Sequence, residues 1–420
     1  MMTRTLRIAN LSLILLLVGC SSFAPLLATP APVLAPEATS TPQAIPTATA
    51  PEMTDESHLL RVWLPPQFDP NAGTPSADLL KQRLTDFENE YAVEIEIRIK
   101  SETDFLNTLA VTSNAAPEAM PDLIALSYSD MQATASAGFL HPLEGLTAVL
   151  QDPDWYAFAR ELGHLKDIEY GIPFASDVLL TVYRSAVFEE LPSTWNALFE
   201  SGAYLVFPVS DPKALLSLSL YLSEGGQLVD DQSAVSLDEQ ALVRLLTFYK
   251  QAIESETVPY LIRDYQTDLQ SLQFYREGRA DLAVIWVSSD IQTQSGGYFP
   301  LLGLDGAHYS LGDGWVWALA GSSVENQPLA VELASYLVES SFMSEWTHAS
   351  GLLPTRPQAL SEWDGEELKV SLNDVLQSAH PVPSEEVRSV LGPLLQGALI
   401  RIFNGEQPEV VARSVIESIK

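Results

Sequence analysis

Aromatic, amide and acidic residues follow several strand-like segments, which is where ligands bind in open α/β sheets. Gln67 and Phe68 come after the first such segment, and Tyr128 and Asp130 come after a later one. Flat aromatic rings stack on the apolar C–H faces of a ligand, whereas amide and carboxylate groups hydrogen-bond its hydroxyls. These side chains predict a site for a small polar ligand. The alternatives are a plain loop position for Gln67, a packing anchor for Phe68 and a helix cap for Asp130.

Two tryptophans extend the same pattern. Trp286 ends a buried strand-like run, and Trp315 follows Gly314, a small neighbour that lets a ligand approach both ring and backbone. For each ring, packing in the core is the alternative to contact with a ligand. Trp317 and Arg356 are weaker candidates, and we expect Arg356 to pair with one of the many carboxylates.

No catalytic motif stands out. The six histidines are scattered, and none has the His-Glu-x-x-His spacing of a zinc enzyme. A Gly-x-Ser-x-Gly nucleophile elbow and a phosphate-binding glycine loop are also absent from the sequence. We therefore expect no enzyme, no metal and no cofactor. Two carboxylates leave no local motif, so a glycosidase remains the alternative.

The chain is strongly acidic. It has 22 basic and 55 acidic residues, a net charge of −33. Such a field repels phosphate backbones and anionic lipid head groups, which argues against a nucleic-acid-binding protein. A well-solvated surface explains most of this charge, and an acidic cleft for a cation is the sharper alternative.

The first 19 residues predict a secretory signal peptide. Arg4 and Arg7 precede an apolar run at residues 11–18, which is shorter than the ~20 residues that cross a bilayer. Leu17-Val18-Gly19-Cys20 resembles the bacterial lipobox, in which the cysteine carries a lipid. Cys20 is the only cysteine, so no internal disulfide can form. An ordinary export signal with a spare cysteine is the alternative.

Residues 20–57 predict an extended tether, because prolines recur there among Ala, Thr and Ser. About 363 residues remain for folded structure, of the 420 in the chain. One hydrophobic core rarely exceeds roughly 250–300 residues, so two lobes are expected.

Strand and helix patterns alternate along these residues. The segment His58–Leu64 is apolar enough for a strand, and alternation over Val93–Ile99 predicts a second. Ser76 is placed to cap the helix between them, and Ser236 with Glu239 has capping-box spacing before a later helix. The alternation predicts α/β lobes with largely parallel sheets.

Eight short motifs lie in order along the chain. They are Pro121-Asp122, Ala137-Gly138-Phe139-Leu140, Tyr170-Gly171-Ile172-Pro173-Phe174-Ala175-Ser176-Asp177, Pro192-Ser193-Thr194-Trp195, Gly225-Gly226-Gln227-Leu228, Gly278-Arg279-Ala280-Asp281, Gly312-Asp313-Gly314-Trp315 and Gly351-Leu352-Leu353-Pro354-Thr355-Arg356. In this order and spacing the sequence resembles the extracellular solute-binding proteins of ABC transporters, in the branch of the maltodextrin-type sugar binders.

The resemblance implies a two-lobed fold of the periplasmic-binding-protein type (type II), in which each lobe is a sheet flanked by helices. Lobe I would contain residues 58–176 and 314–352, and lobe II residues 177–313 and 353–420. The lobes would close on a ligand about a hinge. The family often places an acidic or amide side chain after the first crossing segment, which nominates Asp177; a hinge-capping role is the alternative.

The resemblance further implies a monomeric sugar or oligosaccharide receptor of an ABC importer. Its partners would be the solute, the permease subunits and, through Cys20, the cell membrane, so it would lie outside the cytoplasm, in a periplasm or on the cell surface. A binder of a cationic solute such as a polyamine, an anchored carbohydrate-active enzyme and a receptor that signals without transport are the alternatives.

Overall fold

The computed structural model describes residues 58–101, 105–188, 192–321 and 323–419. The predicted signal peptide, residues 1–19, the tether, residues 20–57, and the lipidation site Cys20 lie outside these ranges and stay predictions. Across the described ranges, no helix combines the length and the apolar character needed to span a membrane.

Most strands belong to one twisted sheet with the order β2-β1-β3-β10-β6-β8-β7, to which β11 adds beside β10 and β9 beside β6. The strands are β1 (His58–Leu64), β2 (Val93–Ile99), β3 (Leu123–Ser127), β4 (His164–Leu165), β5 (Ile168–Glu169), β6 (Gly171–Tyr183), β7 (Leu205–Val206), β8 (Leu282–Trp286), β9 (Gly297–Pro300), β10 (Ser310–Leu319) and β11 (Ala379–Pro381).

Helices cover the sheet. They are α1 (Pro75–Tyr91), α2 (Phe105–Ala115), α3 (Tyr128–Ser136), α4 (Ala157–Leu162), α5 (Trp195–Ser201), α6 (Leu215–Ser223), α7 (Glu239–Glu254), α8 (Asp268–Arg276), α9 (Gln327–Tyr336), α10 (Ser340–Ser350), α11 (Pro357–Ser361), α12 (Glu366–Gln377), α13 (Glu385–Phe403) and α14 (Pro408–Ile419).

The sheet is mixed, so the expectation of largely parallel sheets was wrong. β1 runs parallel to β2 and β3, and β7 runs parallel to β8. The two long strands β6 and β10 instead pair antiparallel with each other and with most of their neighbours. The antiparallel pairs arise because β6 and β10 enter the sheet from the end opposite to most of their neighbours. The local sequence pattern predicts that a strand forms but does not predict its direction.

The strands β6 and β10 connect two halves of the molecule. The first half of β6 pairs with β10, which in turn pairs with β3, while the second half of β6 pairs with β8 and β9. Nearly all thirteen residues of β6 are buried, as expected for a strand covered on both faces. We use lobe I for the half built on β1–β3 and lobe II for the half built on β7–β9.

A third connection runs beside β6. Ser176 and Leu353 exchange backbone N–H···O=C hydrogen bonds, each 2.8 Å long. Just beyond, the buried Arg356 donates to Asp154 Oδ2 at 3.1 Å and also to Asp152. The expected ion pairing of Arg356 is thereby confirmed. The predicted lobe boundaries, 58–176 with 314–352 and 177–313 with 353–420, stay a prediction.

Apolar faces predicted from periodicity fill the cores. In lobe I, Leu84 and Phe87 of α1 pack against the strand residues Leu60 and Val62. In lobe II, α7 buries Leu242, Leu245, Leu246 and Tyr249. Each helix therefore binds the sheet through the stripe that its sequence spacing predicts.

The helix caps differ from the prediction. Thr74, not Ser76, caps α1, because its Oγ1 accepts the N–H of Ala77 at 3.2 Å. Asp238, not Ser236, caps α7 through a 2.7 Å bond from the N–H of Ala241. In both cases a second capping residue lay two positions away, and the sequence does not decide between such neighbours.

Candidate functional site

Five residues on the strands that join the lobes form one row, which we call the hinge row: Asp177, Leu179, Trp286, Asp313 and Trp315. Asp177 is the cross-strand partner of Asp313, and Leu179 is the partner of Trp286. Trp315 follows Asp313 by two residues on the same strand. Directly opposed residues, and residues two apart, project from the same face of a sheet. Three predicted site residues, Asp177, Trp286 and Trp315, therefore share one face where the lobes meet.

Asp177 is the most buried carboxylate of the hinge row, with 8% of the residue exposed. Its Oδ1 accepts the N–H groups of Val178 at 3.0 Å and Ser288 at 3.1 Å, and its Oδ2 accepts the Ser288 hydroxyl. Burial raises the pKa of Asp177 to about 7, although these hydrogen bonds oppose the shift. The negative charge of Asp268 raises the pKa further. Asp177 thus ties β6 to the turn that follows β8.

A cavity of about 360 Å³ opens in lobe II at the carboxyl end of β8. Trp286 and Leu179 of the hinge row lie on its wall, with the segment after β7 and the first turns of α6 and α8. We call this space the lobe II cavity. Its size falls at the lower end of the range for small-molecule sites.

The lobe I side of the hinge row is aromatic. Phe68 lies in the short helical turn after β1, and its ring centre is 5.6 Å from that of Trp315 in an edge-on arrangement. The ring centres of Phe174 and Trp346 lie 5.3 and 5.4 Å from the ring centre of Phe68. Phe68 is only 5% exposed and packs against Trp315, while Gln67 beside it is exposed. Contact of either residue with a ligand stays a prediction.

Tyr128 and Asp130 begin α3 at the carboxyl end of β3. Ser127 caps this helix, since its Oγ accepts the N–H of Asp130 at 3.1 Å and its hydroxyl donates to the Asp130 carboxylate at 2.6 Å. Tyr128 is buried, which raises the pKa of its phenol. Ser127, not Asp130, is therefore the cap, with Asp130 in the first turn as its hydrogen-bond partner, and binding roles for Tyr128 and Asp130 stay predictions.

A polar contact joins α3 to lobe II. Arg388 of α13 donates from Nη2 to the hydroxyl of Ser129 at 2.7 Å, and its side chain is 10% exposed. Farther along the same helix, Gln396 and Leu399 lie on the wall of the lobe II cavity. One helix thus contacts lobe I and forms part of the cavity.

The sequence analysis missed several residues of the cavity wall. These residues are Asp211, Lys213, Asp268, Gln396 and Leu399. They come from the segment after β7 and from two helices, with no shared motif. The position after a buried strand could have nominated Asp211, by the same reasoning that nominated Asp130. Within the described residues, no three His, Cys, Asp or Glu side chains are placed to hold a metal ion.

A family model and several solved structures match the chain. Residues 82–369 match the family model described as bacterial extracellular solute-binding protein. A search of curated proteins finds no match.

Solved structures match nearly the whole described chain. The sugar-binding protein MalE from Xanthomonas citri is 16% identical, with a TM-score of 0.71, covering 86% of this chain and 96% of that one. The maltose-binding periplasmic protein MalE from Listeria monocytogenes, in complex with maltose, is 16% identical with a TM-score of 0.70, covering 86% and 97%. A Thermotoga lettingae ABC transporter solute-binding protein bound with α-D-tagatose is 21% identical with a TM-score of 0.60, covering 86% and 98%. These likenesses establish the two-lobed α/β fold.

Proposed function

Because the chain belongs to the bacterial extracellular solute-binding proteins, we propose that it is a sugar receptor whose ligand occupies the lobe II cavity and contacts the hinge row. The observation that carries the proposal is the position of Trp286, half-buried on the wall of a cavity of about 360 Å³. An indole ring beside such a space can stack on the C–H face of a sugar. Trp315, on the same sheet face, supplies a second ring from the lobe I side.

Ligand binding is coupled to closure of the lobes. β6, β10 and the segment at Leu353 connect the lobes. A ligand that contacts Trp286 in lobe II and Trp315 at the lobe I side gains contacts only when the lobes approach. The ligand therefore binds the closed state more tightly than the open state, and this difference in affinity shifts the population toward the closed state. The bond from Arg388 to Ser129 belongs to the same approach of the lobes.

The receptor delivers its solute to the membrane subunits of an ABC importer. A signal peptide over residues 1–19 and a lipid on Cys20 hold it outside the cytoplasm at the membrane, with residues 20–57 as the tether. An anchored receptor stays at high effective concentration beside its permease. Catalysis has no part in this function, and the absence of a recognisable nucleophile, base and metal set in the sequence supports that view.

A thermal-shift titration of the full chain with glucose, maltose and maltotriose tests the proposal. A ligand at about a thousand times its Kd adds about 4 kcal/mol to the free energy of unfolding, which is a shift of several degrees. Chromatography of the recovered sugar checks that it is not consumed. Failure of every sugar to raise the melting temperature would contradict the proposal, and hydrolysis of the sugar would favour the anchored enzyme instead.

A further inference from the structure

The wall of the lobe II cavity combines an apolar surface with carboxylates. Leu179, Leu216, Val284 and Trp286 supply apolar area, and Asp211 and Asp268 supply negative charge. An uncharged sugar would need hydroxyl partners over most of its rim. An apolar ring face next to fixed negative charge instead suits a ligand that is flat on one side and cationic at one edge.

The negative charge of this wall is only partly compensated. Lys213 is the one basic residue on the wall within the described part of the chain, and its backbone N–H donates to Asp211 Oδ1 at 2.9 Å. Burial raises the pKa of Asp211, and the positive charge of Lys213 opposes that shift. No ion pair within 4 Å joins Asp268 to a described Lys, Arg or His; its Oδ2 accepts the Ser289 hydroxyl at 2.5 Å.

A second carboxyl group lies near Asp268. Asp177 lies next to the wall, two residues before Leu179, and the two carboxylates are close enough for Asp268 to affect the ionisation of Asp177. Asp177 is buried and its hydrogen bonds come from uncharged donors. Buried negative charge without a cation costs free energy, which is why Asp177 takes up a proton near neutrality, and an ammonium group in the adjacent cavity would offset that cost.

We infer that the lobe II cavity takes a small solute with an apolar ring face and an ammonium group, the chemistry of an amino sugar. Asp268 and Asp211 contact the ammonium, and Trp286 covers the ring face. Charge-assisted N–H···O bonds are stronger than those between neutral groups, and an indole ring attracts a nearby cation through its π face. The inference rests on the proposed function, because it assigns a ligand class to the same cavity.

Three matched sugars test it. D-glucosamine, D-glucose and N-acetyl-D-glucosamine differ at one substituent, which is an ammonium, a hydroxyl or a neutral amide. Isothermal titration of the full chain at pH 6 should give glucosamine an affinity about tenfold or more above that of both neutral sugars. This preference should shrink as the salt rises from 50 to 500 mM, because salt screens the attraction between charges.

Variants locate the preference. Asp268→Asn keeps the shape of the side chain and removes its charge. The ratio of the affinity for glucosamine to the affinity for glucose should then fall close to one, while the affinity for glucose changes by less than about threefold. Asp211→Asn is the second variant, with a smaller expected loss because Lys213 already offsets that charge. Asp264→Asn is the matched control, since this aspartate lies four residues before Asp268, on the exposed surface, and should leave the preference unchanged.

The outcomes separate the two proposals. Equal binding of the three sugars, or a preference that survives both Asp268→Asn and Asp211→Asn, overturns the inference and leaves the sugar receptor standing. Binding of putrescine but of no sugar, glucosamine included, overturns both proposals, because putrescine has no ring face and the chain would then bind a linear cation. If neither sugars nor putrescine bind, both proposals fail.

Discussion

Asp177 and Asp313 lie directly opposite each other on the two antiparallel strands that join the lobes. Opposed residues in such a pair have Cβ atoms about 5 Å apart, and like charges at that position destabilise the pairing. The protein tolerates the arrangement because Asp177 accepts three hydrogen bonds and, with its raised pKa, takes up a proton near neutrality. The hinge between the lobes therefore contains a group that titrates near pH 7.

The stability of the protein should fall as the pH rises from about 4 to 7 through Asp177. The folded-state pKa of Asp177 is about 7, whereas an unfolded aspartate titrates near 4. In this window the folded state holds more protons, so raising the pH favours unfolding. Asp177→Asn stays neutral and should escape this loss. Relative to the native chain, the variant should therefore gain up to a few kcal/mol between pH 4 and 8.

Chemical denaturation at several pH values measures this difference. The native chain is the reference because other carboxylates have the opposite effect on stability. Asp290 has a lowered pKa, so the stability that it contributes is lost as the pH falls. Asp264→Asn, on the exposed surface, should give a curve parallel to the native one. A parallel curve for Asp177→Asn as well would show that this carboxyl does not titrate in the window.

Trp286→Ala should remove the stabilisation by sugar and leave a folded protein. Trp286 is half-buried on the cavity wall, so its loss costs less than the ~3–5 kcal/mol of a fully buried tryptophan. Trp195→Ala is the matched control. That ring is also half-buried in lobe II, but its Nε1 donates to Gly303 O at 3.0 Å, away from the lobe II cavity. Thermal shifts with and without sugar separate the two, and equal responses of both variants would contradict the assignment.

Arg356→Ala should destabilise the protein by about 3 kcal/mol or more. The buried guanidinium donates to Asp154 and to the carbonyl oxygen of Val338 beside the third connection between the lobes, and its removal leaves Asp154 without its cation. Arg263→Ala removes an exposed pair with Asp264, 3.4 Å long, and should cost less than about 1 kcal/mol. Urea denaturation gives both values. Equal and small losses of unfolding free energy in the two variants would show that Arg356 contributes no more than an exposed ion pair.

Two glycines of α13 should respond oppositely to alanine. A Cβ on Gly392 would lie 2.2 Å from the carbonyl oxygen of Pro212, so Gly392→Ala should push away the segment that carries Asp211 and cost about 1–3 kcal/mol. Gly397 has open space around its Cα and should gain about 0.5–1 kcal/mol from the higher helix propensity of alanine. Sugar binding should weaken in the first variant only. A stabilising Gly392→Ala would contradict this close packing.

Much of the secondary structure follows from local pattern. Both β1 and β2 have the bounds that their apolar patterns predict, and the stripe on α7 is the one that packs. The site is different. Phe68 follows a strand, as the sequence shows, but only the structure reveals that its ring packs edge-on against Trp315. Position after a strand does not reveal whether a ring points toward solvent or toward its own core.

The sequence by itself determined the α/β class, the family resemblance, the acidic surface and the helical and strand faces, because these depend on composition and on periods of a few residues. Only the tertiary structure decided that Asp177 faces Asp313, that Trp286 faces Leu179, and that Asp211, Asp268 and Gln396 share one cavity. Residues more than a hundred positions apart meet there through strand pairing and helix packing. Such meetings depend on the register and direction of whole elements, which no local spacing encodes.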